Sequence, residues 1–174
     1  MSTDQEDYTT QVALRAGRGD KTALTEFINL TKDDVWRLLA HLASPEEADD
    51  LTQETYLRVL GALPRFAARS SAKTWILSLA RRAWVDSVRH DMARPKKADI
   101  DYEEANADAT SSFVELADVR ILLDELAPDR REALILTQIL GYSYEEAARI
   151  SGVRIGTIRS RVARARADIL NMQK

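Results

Sequence analysis

Five arginines and no acidic residue lie within the thirteen residues RIGTIRSRVARAR (154–166), near the C-terminus. The whole chain of 174 residues has a net charge of −3, so this positive segment runs against the overall composition. Arginine guanidinium groups bind phosphates, and they also bind the O6 and N7 atoms of guanine with two hydrogen bonds. A nucleic acid is therefore the predicted partner of this segment.

The residues on either side of Gly152 predict a helix-turn-helix. Ser143 and Glu146 have the spacing of a capping box, which predicts a helix that begins near Tyr144. Gly152 stands where a tight turn needs a positive φ. A second helix is predicted to begin near Ile155.

The second helix has an apolar stripe on one side and a basic face on the other. The stripe predicted to be buried contains Ile155, Ile158, Val162, Ala165 and Ile169. The opposite face has Gly156, Thr157, Ser160, Ala163 and Arg164 at its centre and Arg159 and Arg161 at its edges. Small central side chains allow close approach to a duplex, and the arginines can reach phosphates or bases. The alternative is a solvated amphipathic helix, but such a face usually carries charges of both signs.

Residues for other kinds of chemistry are scarce. The chain has no Cys and two widely separated His, His41 and His90, which excludes disulfides, thiolate metal sites and a Cys nucleophile. No apolar run approaches the roughly 20 residues that span a bilayer, and the acidic start MSTDQEDYTT is unlike a signal peptide. We therefore predict a cytoplasmic protein that is not an enzyme, needs no cofactor or metal, and contacts no membrane.

Apolar residues recur with helical spacing along most of the chain, and no strand pattern is strong. Helices are predicted over residues 23–42, from Pro45 to about Leu60, from Lys73 to about Asp91, and in two further segments before Gly141. Ser44 and Glu47 predict the cap of the second of these helices. The segment ARPKKADIDYEEANADATSS (93–112) has few large apolar residues and is typical of an acidic linker. The predicted fold is all-α, with two small helical domains and a helix-turn-helix in the second.

Two separate parts of the chain resemble the extracytoplasmic-function (ECF) sigma factors of bacterial RNA polymerase. SYEEAARISGVRIGTIRSRVARAR (143–166) is similar to their C-terminal helix-turn-helix. EADDLTQETYLRVL, LPRF and TWILSLARRAWVDSVR are similar to their polymerase-binding and −10-element helices, in the same order and most like actinobacterial members. The resemblance implies sigma region 2 over residues 1–95, an acidic linker over 96–112 and sigma region 4 over 113–174.

The resemblance also implies partners. The acidic helix would bind the coiled coil of the largest catalytic subunit of core RNA polymerase, through Asp49, Asp50, Leu51, Gln53, Glu54 and Thr55. A solvated acidic helix start is the alternative, because the helix dipole favours acids there. Region 4 would contact the flap of the second-largest subunit, and promoter DNA is the other implied partner. Whether an anti-sigma factor exists stays open at this point.

The resemblance assigns reading of the melted −10 strand to a loop that captures a flipped base and to the helix that follows it. The matching residues are Phe66, Arg69, Ser70, Ser71, Lys73, Thr74, Trp75, Arg82, Asp86 and Arg89. Asp86, being acidic, is expected to bind a base amino group or to pair with an Arg. Trp75 is compatible with base stacking or with the core, whereas Trp36 and Trp84 are predicted to lie in the core.

The resemblance assigns reading of the −35 duplex to the arginine helix. Base contacts are expected from Arg159, Ser160, Ala163 and Arg164, and backbone contacts from Thr157 and Arg161. Arg154 stands where relatives commonly have Pro, and it adds a phosphate contact. The linker acids Asp99, Asp101, Glu103, Glu104 and Asp108 are hypothesised to mimic the charge of nascent RNA.

Two other kinds of protein compete with this interpretation. A stand-alone helix-turn-helix regulator would need a sensor domain, with an apolar pocket or a phosphoacceptor Asp on an α/β fold, and no strands are predicted to build one. An enzyme would need a catalytic constellation, and the sequence presents none.

Overall fold

The computed structural model describes residues 3–93 and 121–172, and the linker acids lie outside them. The described residues form no strand, and the predicted all-α fold is confirmed. In chain order the helices are α1 (Thr3–Gly17), α2 (Lys21–Leu42), α3 (Pro45–Ala62), α4 (Ala72–Ala93), α5 (Pro128–Leu134), α6 (Tyr144–Ser151) and α7 (Ile155–Met172). A 3-10 turn at Leu63–Arg65 follows α3, and a π-helical turn at Ile135–Ile139 extends α5.

The predicted helix caps are present where the sequence indicates them. Ser44 accepts a hydrogen bond from the backbone N–H of Glu47 at 3.2 Å, and Pro45 occupies the first turn of α3. Ser143 accepts from the N–H of Glu146 at 3.1 Å, and the Glu146 carboxylate accepts from the N–H of Ser143 at 2.7 Å. This reciprocal pair satisfies two donors that the first turn of α6 leaves free.

The sequence pattern does not predict helix α1, because the N-terminal half of this helix is acidic and polar. It buries Val12 and Ala13 against the rest of the core. A Cβ on Gly17 would lie 2.6 Å from the carbonyl oxygen of Leu63, so only glycine fits at this crossing. The Thr10 hydroxyl accepts a hydrogen bond from the N–H of Ala72 at 3.0 Å. Helix α1 therefore fixes the start of α4.

The core is continuous between the two halves of the chain. Phe27, Leu38 and Ile76 are fully buried among α2 and α4, and the same hydrophobic cluster includes Leu136 and Ile158 from the C-terminal half. Helix α6 packs directly on α4, and the π-helical turn touches α2. The C-terminal half thus rests on the helix that carries the predicted −10 residues.

The prediction that Trp36 lies in the core is wrong. Its side chain is 40% exposed, and its indole Nε1–H donates to Asp49 at 2.8 Å. The amphipathic nature of the indole explains this position, since its N–H gains a surface acceptor on α3. Trp84 is half-buried and packs against the core.

Candidate nucleic-acid interface

Helix α7 presents the basic face that the sequence predicts. Ile158, Val162 and Ala165 are buried, and Ile155 and Ile169 pack against the core. The opposite side is open to solvent: Arg154, Gly156, Arg159, Ser160, Ala163 and Arg164 are exposed, and Thr157 is half-buried. The face combines small central side chains with cationic edges, as close approach to a polyanion requires.

Polar contacts fix α7 against the rest of its half. Arg130 pairs with Asp168 at 2.6 Å, Arg161 pairs with Asp129 at 3.3 Å, and Arg166 donates to Gln138 at 2.8 Å. Arg161 is therefore partly neutralised by its own domain. Arg159 and Arg164 have no ion pair with any acid in the described residues. Their charges remain available to an outside anion.

The turn before α7 supports a stability prediction. Gly152 has a φ of 67°, and Gly152→Ala is expected to cost about 1 kcal/mol, because a Cβ is strained there. Gly156 lies within α7 with open space around it, so the matched change Gly156→Ala is expected to stabilise by about 1 kcal/mol. Urea unfolding followed by circular dichroism measures both. Equal effects of the two substitutions would contradict the prediction.

The loop before α4 forms a small aromatic pocket. The rings of Phe66 and Trp75 lie 4.7 Å apart at 40° to each other. They line a cavity of about 290 Å³ together with Arg65, Arg69 and Ser70. Ala68 holds a φ of 51°, which is uncommon for a residue other than glycine and marks a constrained loop. A cavity with aromatic walls and cationic groups suits a flat, polar ring.

Two of the predicted −10 residues are buried and make their polar contacts within the protein. Lys73 is 8% exposed and pairs with Asp34 at 3.2 Å, and its Nζ lies 5.6 Å from the ring centre of Tyr142. Thr74 is 6% exposed, and its N–H donates to Ser71 at 3.1 Å, which caps α4. Burial, with a contribution from the Asp34 carboxylate, raises the pKa of Tyr142, so its hydroxyl stays protonated.

The exposed residues among the −10 assignments lie further along α4 and in the loop. Arg82, Asp86 and Arg89 are exposed on α4, and Arg69 is exposed in the loop. Asp86 pairs with an Arg, one of the two partners expected for it: Arg58 donates to it at 2.7 Å. This part of α4 can therefore meet a nucleic acid, while its first turn supports the fold.

Helix α3 carries an acidic and partly apolar outer face. Asp49, Asp50 and Gln53 are exposed, as are Leu57 at 65% and Leu60 at 49%. Two other residues predicted for this face are in the core, because Leu51 is 8% exposed and Thr55 is fully buried and bonds the Leu51 carbonyl. The face that a partner can touch is thus a stripe of acids, an amide and two leucines.

Comparisons with known proteins show the family of this chain. The profile of sigma-70 region 2 matches residues 27–94, and that of sigma-70 region 4 matches residues 116–169. The ECF RNA polymerase sigma factor SigC of Mycobacterium tuberculosis is 47% identical over 168 residues, which is 95% of this chain and 91% of that protein. The chain belongs to the ECF sigma factor family.

Solved structures resemble the sigma factor across most of its length. CnrH, solved with the cytosolic domain of CnrY, aligns with a TM-score of 0.72 at 23% identity, covering 94% of this chain and 96% of that one. RpoE of Bartonella quintana, solved with the anti-sigma factor NepR, aligns with a TM-score of 0.66 at 28% identity, covering 86% and 96%. Membership of the sigma factor family makes this protein a transcription initiation factor. Among the residues that the structure describes, no helix could span a bilayer.

Sequence reasoning missed Arg58, which lies between two of the predicted surfaces of the sigma factor. Its Nε donates to Glu54 on α3 at 2.8 Å, and its Nη1 donates to Asp86 on α4 at 2.7 Å. Two hydrogen bonds raise the pKa of Arg58, the larger contribution coming from Glu54 and the next from Asp86, so the guanidinium stays charged. The spacing of four residues from Glu54 is the signal that could have found the first contact, whereas the second depends on how α3 and α4 pack.

Sequence reasoning also missed the polar contact between the two halves of the sigma factor. Arg81 on α4 makes two hydrogen bonds to the carboxylate of Glu132 on α5, one of them from Nη2 at 3.0 Å. Ser151 on α6 donates to the same carboxylate at 2.8 Å. Glu132 is 4% exposed, so a buried charge joins three helices. A separation of 51 residues between Arg81 and Glu132 gives no local sequence signal.

Proposed function

We propose that this protein is an alternative sigma factor that binds core RNA polymerase and directs promoter-specific initiation. It reads the −35 element as duplex and the −10 element as a melted single strand. The observation that carries the proposal is the exposed face of α7, where Arg159 and Arg164 lie beside small side chains and pair with no acid of the described residues. The proposal includes two domains, over residues 1–95 and 113–174, and a linker over 96–112 that joins them.

The −35 duplex would lie along α7. The width of the B-DNA major groove admits one helix, and the row of Gly156, Ser160 and Ala163 lets α7 approach the base edges. Arg164 and Arg159 can each bind a guanine with two hydrogen bonds. Arg154 and Thr157, at the start of α7, are suited to the sugar–phosphate backbone, and Arg161 is a weaker candidate because Asp129 already holds it.

The −10 strand would run from the aromatic pocket to the exposed part of α4. A flipped base enters between the loop and Trp75, where ring stacking and the Arg69 and Ser70 groups hold it. Arg82 and Arg89 attract the phosphates of the strand. Asp86 offers an acceptor to an exocyclic amino group of a base.

Core polymerase would bind the outer face of α3. Asp49, Asp50, Gln53 and Glu54 complement basic groups of a coiled coil, and Leu57 together with Leu60 adds apolar area. Trp36 holds the Asp49 carboxylate in place. Region 4 would meet the polymerase flap. RpoE of Bartonella quintana binds an anti-sigma factor, and by that likeness we include such a protein among the proposed partners.

Run-off transcription with purified core polymerase tests the proposal. Core polymerase with the protein is expected to initiate at a defined subset of a promoter-fragment library, and core polymerase alone is expected to give no product there. No new start site, together with a shift of duplex DNA by the protein alone, would instead indicate a stand-alone regulator. A charge-reversed Asp50→Arg variant separates the two, because it should lose transcription with core polymerase and keep any binding to DNA alone.

A further inference from the structure

Arg58 connects the two surfaces of region 2 that the proposed function requires, and the inference drawn from it rests on that function. Glu54 belongs to the polymerase-binding face of α3, and Asp86 belongs to the −10 face of α4. The guanidinium of Arg58 bonds one oxygen of each, at 2.8 Å and 2.7 Å. One side chain therefore contacts a residue of each face.

The geometry allows outside partners to reach both acids. The side chain of Arg58 is 32% exposed, that of Glu54 is 46% exposed and that of Asp86 is 51% exposed. Arg58 uses one oxygen of each carboxylate, so the other oxygen can accept a bond from a polymerase or DNA group. The planar guanidinium presents its donors in a fixed fork, which a lysine cannot reproduce.

The charges on α4 explain why Asp86 needs a cation. Its exposed neighbours Arg82 and Arg89 attract phosphates, whereas an unpaired carboxylate between them would repel the same strand. Arg58 neutralises Asp86 and limits the directions in which its free oxygen can point. A carboxylate oxygen held in this way accepts from an exocyclic amino group of cytosine or adenine and rejects a base that lacks one.

We propose that Arg58 is a positioning residue that couples polymerase binding to base selection in the −10 strand. When a cation of the polymerase pairs with the free oxygen of Glu54, it competes with Arg58 for that carboxylate and weakens the hydrogen bond between Arg58 and Glu54. The hydrogen bond from Arg58 to Asp86 then fixes the Asp86 carboxylate for the base. The amino-bearing base is therefore discriminated more sharply by the holoenzyme than by the free protein.

The experiment compares binding of the reconstituted holoenzyme to fluorescent fork-junction DNA with and without one amino group. At each −10 position, cytosine or adenine is replaced in turn by the analogue without its exocyclic amine. The wild-type holoenzyme is expected to lose about tenfold in affinity at one position, the value of a hydrogen bond to a charged acceptor. The ratio of affinities for the strands with and without the amino group is expected to fall to about twofold in Arg58→Ala and in Arg58→Lys. Their affinity for core polymerase should change by less than about threefold.

Matched variants give the proposal further ways to fail. Glu54→Gln should weaken core binding and keep the tenfold ratio once the holoenzyme is saturated. Asp86→Asn should abolish the tenfold difference in affinity. The double variant Asp86→Asn with Arg58→Ala should show no further change in the affinity ratio, because both residues act on one contact. Arg82→Ala should weaken binding to all −10 strands equally.

The outcomes distinguish this inference from the proposed function. The proposed role of Arg58 is overturned if the wild-type affinity ratio is near one at every position. It is also overturned if Arg58→Ala keeps the full tenfold ratio. A wild-type holoenzyme that fails to form, or that does not bind fork-junction DNA, overturns the proposed function itself.

Discussion

Replacing Glu132 with alanine is expected to lower the free energy of unfolding by about 3 kcal/mol, since removing one partner of a buried ion pair strands the other. The substitution takes away two hydrogen bonds from Arg81 and the acceptor of the Ser151 hydroxyl. The expected loss is at the lower end of the usual range, because the Arg81 side chain is 22% exposed and water can reach it. Urea unfolding followed by circular dichroism and by tryptophan fluorescence measures the change.

Two control variants separate this contact from a general loss of charge. Glu125 is exposed, so Glu125→Ala should change stability by less than about 0.5 kcal/mol. The double change Arg81→Met with Glu132→Met should recover most of the stability, because apolar side chains of similar size can replace a buried pair. A Glu132→Ala protein as stable as wild type would mean that the two halves do not share this contact in solution.

Under the proposed function, replacing Arg164 with alanine is expected to weaken binding of the holoenzyme to a −35 duplex by about 1–3 kcal/mol, roughly 5- to 150-fold. Arg164 is exposed and pairs with no acid of the described residues, so the fold should not change. A base contact is specific, and the loss should therefore fall on one base pair of the element. Dissociation constants for duplexes with each single base change, at fixed salt concentration, measure it.

Arg166 provides the matched control on the same helix. It carries the same charge, but it donates to Gln138 at 2.8 Å on the side of its own domain. Arg166→Ala should weaken binding to all duplex sequences alike. It should also reduce the slope of log affinity against log salt concentration by about one charge. If Arg164→Ala also weakens every sequence equally, Arg164 contacts phosphate and reads no base.

Local patterns were sufficient to predict most of the helices and the recognition motif. Each of these features depends on residues close together in the chain. The Ser143–Glu146 capping box and the turn at Gly152 are confirmed. The stripe of α7 is buried at Ile158, Val162 and Ala165, while Ile155 and Ile169 are half-buried. The failures have a different origin. The sequence pattern does not reveal helix α1, because its polar first half hides a short apolar stripe. It predicts Trp36 in the core, because helical spacing alone does not give the depth of a side chain.

Burial divided the predicted surface residues in a way that sequence patterns could not. Motif position predicts contact residues at Lys73, Thr74, Leu51 and Thr55, but packing buries all four in the fold. Their neighbours Arg82, Asp86, Asp50 and Gln53 are exposed on the same two helices. The difference arises from which side of α3 and α4 faces α2 and α6, and this depends on contacts between distant residues.

The sequence alone determined the all-α class and the basic face of α7, because periodicity, caps and charge are properties of short segments. The family came from the resemblance of two separate motifs to ECF sigma factors. The tertiary structure decided how the two halves meet and which charges are paired within the fold. Arg81 with Glu132 and Arg58 with Asp86 are separated by 51 and 28 residues, and they come together only when α4 packs against α3 and α6 and the Arg81 side chain reaches α5. Such contacts depend on loop closure and on the burial of both partners, and no local pattern encodes either.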